Sequence, residues 1–289
     1  GSMMNQKLVT LDFTERDLDF LIAAVVSGSS DTSTLRGAIR HDPAYRKAIV
    51  SDERVFSQVA NDDESFLKIS PLLYFEVLLR RAQRDLESTS YTMERSGKES
   101  IPVFDSVEVA DFLDSPYVLE YLAHMLASFT RIQSYVVPVR IRKGIRRRIR
   151  YNDMDIDSLI QFASKAEESE RFSFYKRIGD VCLFVTGLFR DHTYSEAEKT
   201  SVMRDPVYQV RQSSSPAWSR RIKRSVEEYE AEGKRFYKLA ELHPTASMLE
   251  LSDVFNVLRE QFTAARKPLA FLSTHYLHSR QNNLFGITS

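Results

Sequence analysis

Apolar residues recur along this chain three and four positions apart, the pitch at which an α-helix turns one face toward a core. Near the start, Thr14 precedes an acidic turn and then Leu18, Leu21, Ile22 and Val25. Asp42-Pro43, Ser70-Pro71 and Ser115-Pro116 each place a capping side chain ahead of a proline, which loses nothing at the first helical position. Between residues 31 and 69 the pairs Leu35/Ile39, Tyr45/Ile49, Val55/Val59 and Phe66/Ile69 are separated by Asp, Asn and Ser, which predicts a cluster of short helices. Leu72, Phe75, Leu79, Ala82 and Leu86 form one longer stripe, and Val118, Leu122, Met125, Phe129 and Ile132 another; the polar stretch 88–105 connects them.

The C-terminal half continues the pattern. Asp155 starts a helix bearing Ile156, Leu159, Ile160 and Ala163. Residues 170–190 carry two stripes, Phe174, Ile178, Val181, Val185, Leu188 and Phe172, Tyr175, Cys182, Phe189, so this helix is expected to be buried on most sides. Gly179 and Gly187 weaken it intrinsically, and close helix approach is the expected reason. Ser225 and Glu228 form a capping box opening a helix with Tyr229, Phe236, Tyr237, Leu239 and Ala240. Leu251, Phe255, Leu258, Phe262, Ala265, Leu269, Leu272 and Tyr276 repeat as a heptad seam in which Pro268 is expected to cause a kink or a split. Residues 191–224 lack periodicity and read as a long loop.

One segment departs from the helical period. Val137, Val139 and Ile141, then Ile145, Ile149 and Tyr151, interleave with arginine around Lys143-Gly144, which predicts a β-hairpin, with extended helix as the competing reading. The expected fold is therefore all-α: a helical bundle with a small basic β-hairpin insertion near residues 136–151. Residues 1–105 form a cluster of short helices plus one long helix, and 106–289 the main bundle. One compact unit and two loosely coupled halves both fit.

Charge sharpens this picture. The 289 residues carry 40 basic and 40 acidic side chains, which argues against a protein built mainly to coat nucleic acid. The distribution is uneven: residues 1–130 have a net charge of −8, 131–151 of +8, and 201–225 of +5. Arg140, Arg142, Lys143, Arg146, Arg147, Arg148 and Arg150 make the first island, and Arg220, Arg221, Lys223 and Arg224 the second. An extended basic ribbon can contact the phosphates of nucleic acid or an anionic membrane. The competing reading pairs these arginines with the acidic N-terminal half, within the chain or across a dimer. Trp218 beside the second island can stack on a base or simply anchor packing.

The remaining candidates are few. Arg177 and Asp180 lie three apart on the most apolar helix, where a carboxylate must be paired, and a structural ion pair is the expected role. Glu120/His124 and His275/His278 can each share a helix face, but neither has the three or four ligands a metal site needs. No metal or cofactor is expected: there is no glycine-rich phosphate loop, nucleophile elbow or Walker-type lysine. Cys182, the single cysteine, excludes an internal disulfide framework and lies in an apolar run where it should be inert. The N-terminus lacks an apolar leader and the longest apolar run is too short to span a bilayer, so a cytoplasmic setting is expected.

The stretch Tyr175-Lys-Arg-Ile-Gly-Asp180-Val-Cys-Leu-Phe184-Val-Thr-Gly187-Leu-Phe189 resembles a pattern in uncharacterised bacterial all-helical proteins of unknown function: Tyr, then Gly-Asp, Leu-Phe and Gly-x-Phe, followed by a second tyrosine-rich helix. Tyr229 to Tyr237, with Gly233 between, and the heptad helix match the rest, so the resemblance spans residues 170–282. It implies a shared helical core and transfers no functional residue.

Three roles follow in order. The first is a non-enzymatic interaction or regulatory protein self-associating through the heptad seam. The second is a nucleic-acid-binding protein using residues 139–150 and 220–224. The third is an enzyme with a site in the helical core around Asp180, His124 and Tyr175.

Overall fold

Local sequence signals account for the helix starts in the computed structural model, which describes residues 12–28, 31–89, 91–96, 99–103, 105–130, 134–142, 145–152, 155–190, 193 and 224–286. Six helices form the N-terminal part: α1 (Glu15–Val25), α2 (Ser33–His41), α3 (Pro43–Val50), α4 (Glu53–Asn61), α5 (Ser65–Lys68) and α6 (Pro71–Glu87). Thr14 and Asp17 cap α1 reciprocally. Asp42 accepts from the amides of Ala44 and Tyr45, and Ser70 from that of Leu73, leaving the prolines at the position that lacks a helical partner anyway. Asp17 also accepts from the Ser70 amide at 2.8 Å, so one buried carboxylate fixes the starts of α1 and α6 together.

Next come α7 (Ser106–Asp114), α8 (Pro116–Phe129), α9 (Ile156–Lys165) and α10 (Glu168–Leu188). The chain resumes with α11 (Val226–Leu242), α12 (Pro244–Met248), α13 (Ser252–Glu260) and α14 (Phe262–Leu272), followed by a π-helical turn at Ser273–Leu277, a 3-10 turn and α15 (Gln281–Leu284). Helix α10 is central, packing on α9, α11 and α14. A contiguous hydrophobic core runs from Phe13 to Phe285, and the stacked rings of Phe75 and Phe285 join the N-terminal helices to the C-terminal end.

The body in which side chains pack is helical, and by itself it gives no support to a basic hairpin insertion. For Thr92–Ser96 (β1) with Glu99–Val103 (β2), in the stretch expected as a plain polar connection, only an antiparallel backbone course is described. The same holds for Ser134–Arg142 (β3) with Ile145–Asn152 (β4), between α8 and α9. The expected loop 191–224 lies outside the described residues except for Thr193 and Arg224.

The heptad seam differs from expectation in two ways. Phe255, Leu258, Phe262, Ala265, Leu269 and Leu272 are all buried against the chain's own helices, so self-association through this seam has no free face to use. The helix also breaks at Gln261 (φ −119°, ψ 41°) rather than at Pro268, which lies inside α14. The break re-aims the seam so that Phe262 enters beside Gly233 while Leu269 enters beside Gly187.

Candidate functional site

Helix α10 is apolar on nearly every side yet carries Lys176, Arg177 and Asp180 into the interior. A buried carboxylate must be hydrogen-bonded or paired to stay charged. Asp180 is fully buried, and its Oδ1 accepts from the hydroxyls of Tyr121 on α8 (2.6 Å) and Tyr237 on α11 (2.8 Å). Its Oδ2 accepts from Lys176 Nζ, one turn earlier on α10, at 2.8 Å. The lysine nitrogen also lies 5.0 Å from the centre of the Tyr121 ring, a favourable cation–π placement. Burial and the neighbouring carboxylate push both tyrosine hydroxyls well above their ordinary range, keeping them protonated as donors.

The expected partnership of Arg177 with Asp180 is therefore replaced by Lys176. Arg177 turns instead toward the end of α8, where it donates to Ser128 Oγ at 2.7 Å and lies 3.8 Å from the centre of the Phe129 ring. The geometric reason is the helix itself: residues four apart are stacked along the axis, whereas three apart diverge toward the neighbouring helix.

A second charged layer adjoins the first. Glu76 on α6 is fully buried and accepts from Arg80 at 2.9 Å and from Arg46 on α3 at 2.9 Å; Arg46 reaches on to Asp12 at 2.8 Å. Glu120 and His124 on α8 lie beside these charges. Burial pushes the Glu120 carboxyl up from its ordinary value, and it pushes the His124 ring down, with Lys176 and Arg46 adding to the depression. His124 Nδ1 is buried without a hydrogen-bond partner.

The arrangement locks four helices together and holds charges inside the core. It does not leave Asp180 available for chemistry, since both of its oxygens are occupied and none of it reaches the surface. Tyr175, the third member of the expected core site, packs instead against Phe236, with ring centres 5.9 Å apart. The sequence pattern did not point to Tyr121, Tyr237, Lys176, Glu76 or Arg46. A charged pair four apart on an apolar helix was a usable signal for Lys176–Asp180 and Glu76–Arg80; nothing local announces the tyrosines.

Of the cationic islands, Arg224 lies within the described side chains, where it donates to Asp157 in the first turn of α9 at 2.7 Å. Lys143, Arg220, Arg221, Lys223 and Trp218 lie outside the described residues, as do the side chains of Arg140, Arg142, Arg146, Arg147, Arg148 and Arg150. Among the described residues, no group of three or more His, Cys, Asp or Glu is placed to hold a metal ion, and no helix is long and apolar enough to cross a membrane.

Cys182 is fully buried, and burial pushes its thiol far up. Since the thiolate is the reactive form, a water-soluble thiol reagent should leave the native chain unlabelled and modify it only in denaturant; labelling of the native chain would contradict this packing. Comparison with family models, curated proteins and solved structures finds no match, so the resemblance to bacterial helical proteins rests on its motif residues alone.

Proposed function

We propose that this chain is a non-enzymatic protein that binds the phosphate backbone of duplex nucleic acid through its basic segment 134–152. One observation carries the reading: the acidic residues of the N-terminal half are already engaged by that half. Glu15 holds Arg36 and Arg40, Asp12 and Glu76 hold Arg46, Glu53 holds Arg81 and Arg84, and Asp62 holds Lys68. Asp17, Asp42 and Asp52 accept from helix N-terminal amides, where negative charge is favourable. The acidity of residues 1–130 thus has local uses, and it does not require the arginines of residues 131–151 as partners.

Two further features support the reading. The Arg224–Asp157 contact brings the end of the second basic island to the helix that directly follows the first. In the backbone register, Arg140 opposes Arg146, Pro138 opposes Arg148 and Val136 opposes Arg150. Directly opposed residues share a face and alternate along each strand. That register assigns Arg140, Arg146, Arg148 and Arg150 to one face of a two-stranded ribbon, of a width a major groove accepts.

The test is fluorescence anisotropy with a short labelled duplex over a range of salt, comparing the native chain with an R140A/R146A/R148A/R150A variant. Each phosphate left unneutralised should flatten the log–log salt slope by about 0.9, so the fourfold variant should lose up to roughly 3.6. Salt-insensitive binding, a slope untouched by the substitutions, or binding to anionic vesicles but not to the duplex would each overturn the proposal.

A further inference from the structure

Glu120 and His124 lie four apart on α8, so they are stacked neighbours on one helix face. Both feel Arg46 from α3, Glu76 from α6 and Asp12, which precedes α1, so that shared face looks into the second charged layer. Arg80 of α6 adds to the field at Glu120, while Lys176 of α10, itself held by Asp180, adds to that at His124. From α13, Phe255 meets the neighbouring Tyr121 with an uncharged ring. The ring nitrogen Nδ1 is enclosed and lacks a partner, which is costly for a polar atom and calls for an explanation. The group best placed to supply a proton donor is the carboxyl one turn away.

We propose that Glu120 and His124 act as one proton-holding pair: on mild acidification Glu120 takes a proton from solvent, its hydroxyl donates to His124 Nδ1, and the ring remains neutral with its own hydrogen on Nε2. A second proton, on the ring, would create a cation between Lys176 and Arg46, and α8 would lose its seat against α6 and α10. The pair thereby lets α8 pass through mild acid without placing a third positive charge there. This holds whether or not the basic segment binds nucleic acid.

Linkage gives the sign for each group. Glu120 is raised above its ordinary 4.5, so its contribution grows as pH falls through the folded value and is absent at neutral pH. His124 is depressed below its ordinary 6.5, so its contribution is lost as pH falls below 6.5. In the native chain the two oppose one another between these values, and removing either exposes the other.

The experiment is a nitrogen-15 histidine titration of the full-length chain, with H124Q used to assign the signal, together with melting temperatures of native, E120Q and H124Q chains from pH 7 to 4.5. His124 is expected to remain a neutral Nε2–H tautomer, its Nδ1 resonance stepping as Glu120 protonates, with that step absent in E120Q. Relative to the native chain, E120Q should lose melting temperature on acidification and H124Q should gain it. A ring that protonates near 6.5, or an Nδ1 titration unchanged by E120Q, would overturn the proposal. The native titration alone reads out the tautomer even if a variant fails to fold.

Discussion

Replacing Asp180 with alanine is expected to destabilise the chain by about 3–5 kcal/mol, the cost typical of breaking a buried ion pair from one side. The loss does not come mainly from the carboxylate's own attractions. It comes from what is left behind: Lys176, 7% exposed, loses the anion that compensates its charge, and the hydroxyls of Tyr121 and Tyr237 lose the acceptor that both use. Each abandoned hydroxyl adds a desolvation cost of roughly 1–3 kcal/mol unless water enters. An asparagine in place of Asp180 would still accept from both tyrosines but would not neutralise the lysine, so D180N should remain well below the native chain. Adding K176M to D180N removes the stranded cation and should recover most of the loss, a coupling that a double-mutant cycle in urea would measure. A D180A chain with an unchanged urea midpoint would mean that the Asp180 contacts contribute nothing to stability.

That network also marks the limit of what local reading can reach. Asp180 could be recognised from the sequence as a buried carboxylate in need of a partner, because the helix around it is apolar on both stripes. Its tyrosine partners stand 59 and 57 residues away, and no periodicity connects them. The nearest cation expected for it, Arg177, is directed at α8, whereas Lys176 is stacked one turn below the carboxylate. Helix starts were legible for the opposite reason: a cap is a contact between residues two or three apart, as at Asp42, Ser70 and Ser225.

The heptad seam was legible as an apolar stripe but not as to its partner. Periodicity says that residues 251–276 bury a face; it does not distinguish a second copy from the chain's own α10 and α11, and the latter fill that role. Nor does it locate the break, since Pro268 is tolerated within α14 while the turn falls at Gln261. Glu76 went unnoticed because it sits in an otherwise apolar helix beside the stripe. Arg80, one turn later, was the only local sign that a carboxylate there would be compensated.

Glycine-to-alanine changes should separate by sign according to what the new methyl group meets. A Cβ at Gly179 would lie 2.6 Å from two atoms of the Tyr237 ring, and one at Gly233 would lie 2.6 Å from the Phe262 ring and 3.0 Å from the Cys182 Cβ. Alanine gains about 1 kcal/mol of helix propensity over glycine, while overpacking a filled core costs about 1–3 kcal/mol. At Gly233 these terms leave a net loss of up to roughly 2 kcal/mol. At Gly179 the displaced ring also carries one of the hydroxyls that Asp180 needs, and a hydrogen bond to a charged group adds about 1.5–3 kcal/mol. G179A is therefore expected to be the worst of the set, by roughly 2–4 kcal/mol overall. Gly37, in α2, has open space where a Cβ would go, so G37A should stabilise the chain by about 0.5–1 kcal/mol. Because the same atom is added in every case, helix propensity cancels from the comparison and the difference reports packing alone. Equal urea midpoints for G179A and G37A would mean that Tyr237 does not lie across α10 at Gly179, and the seating of α11 on α10 would then have to be different.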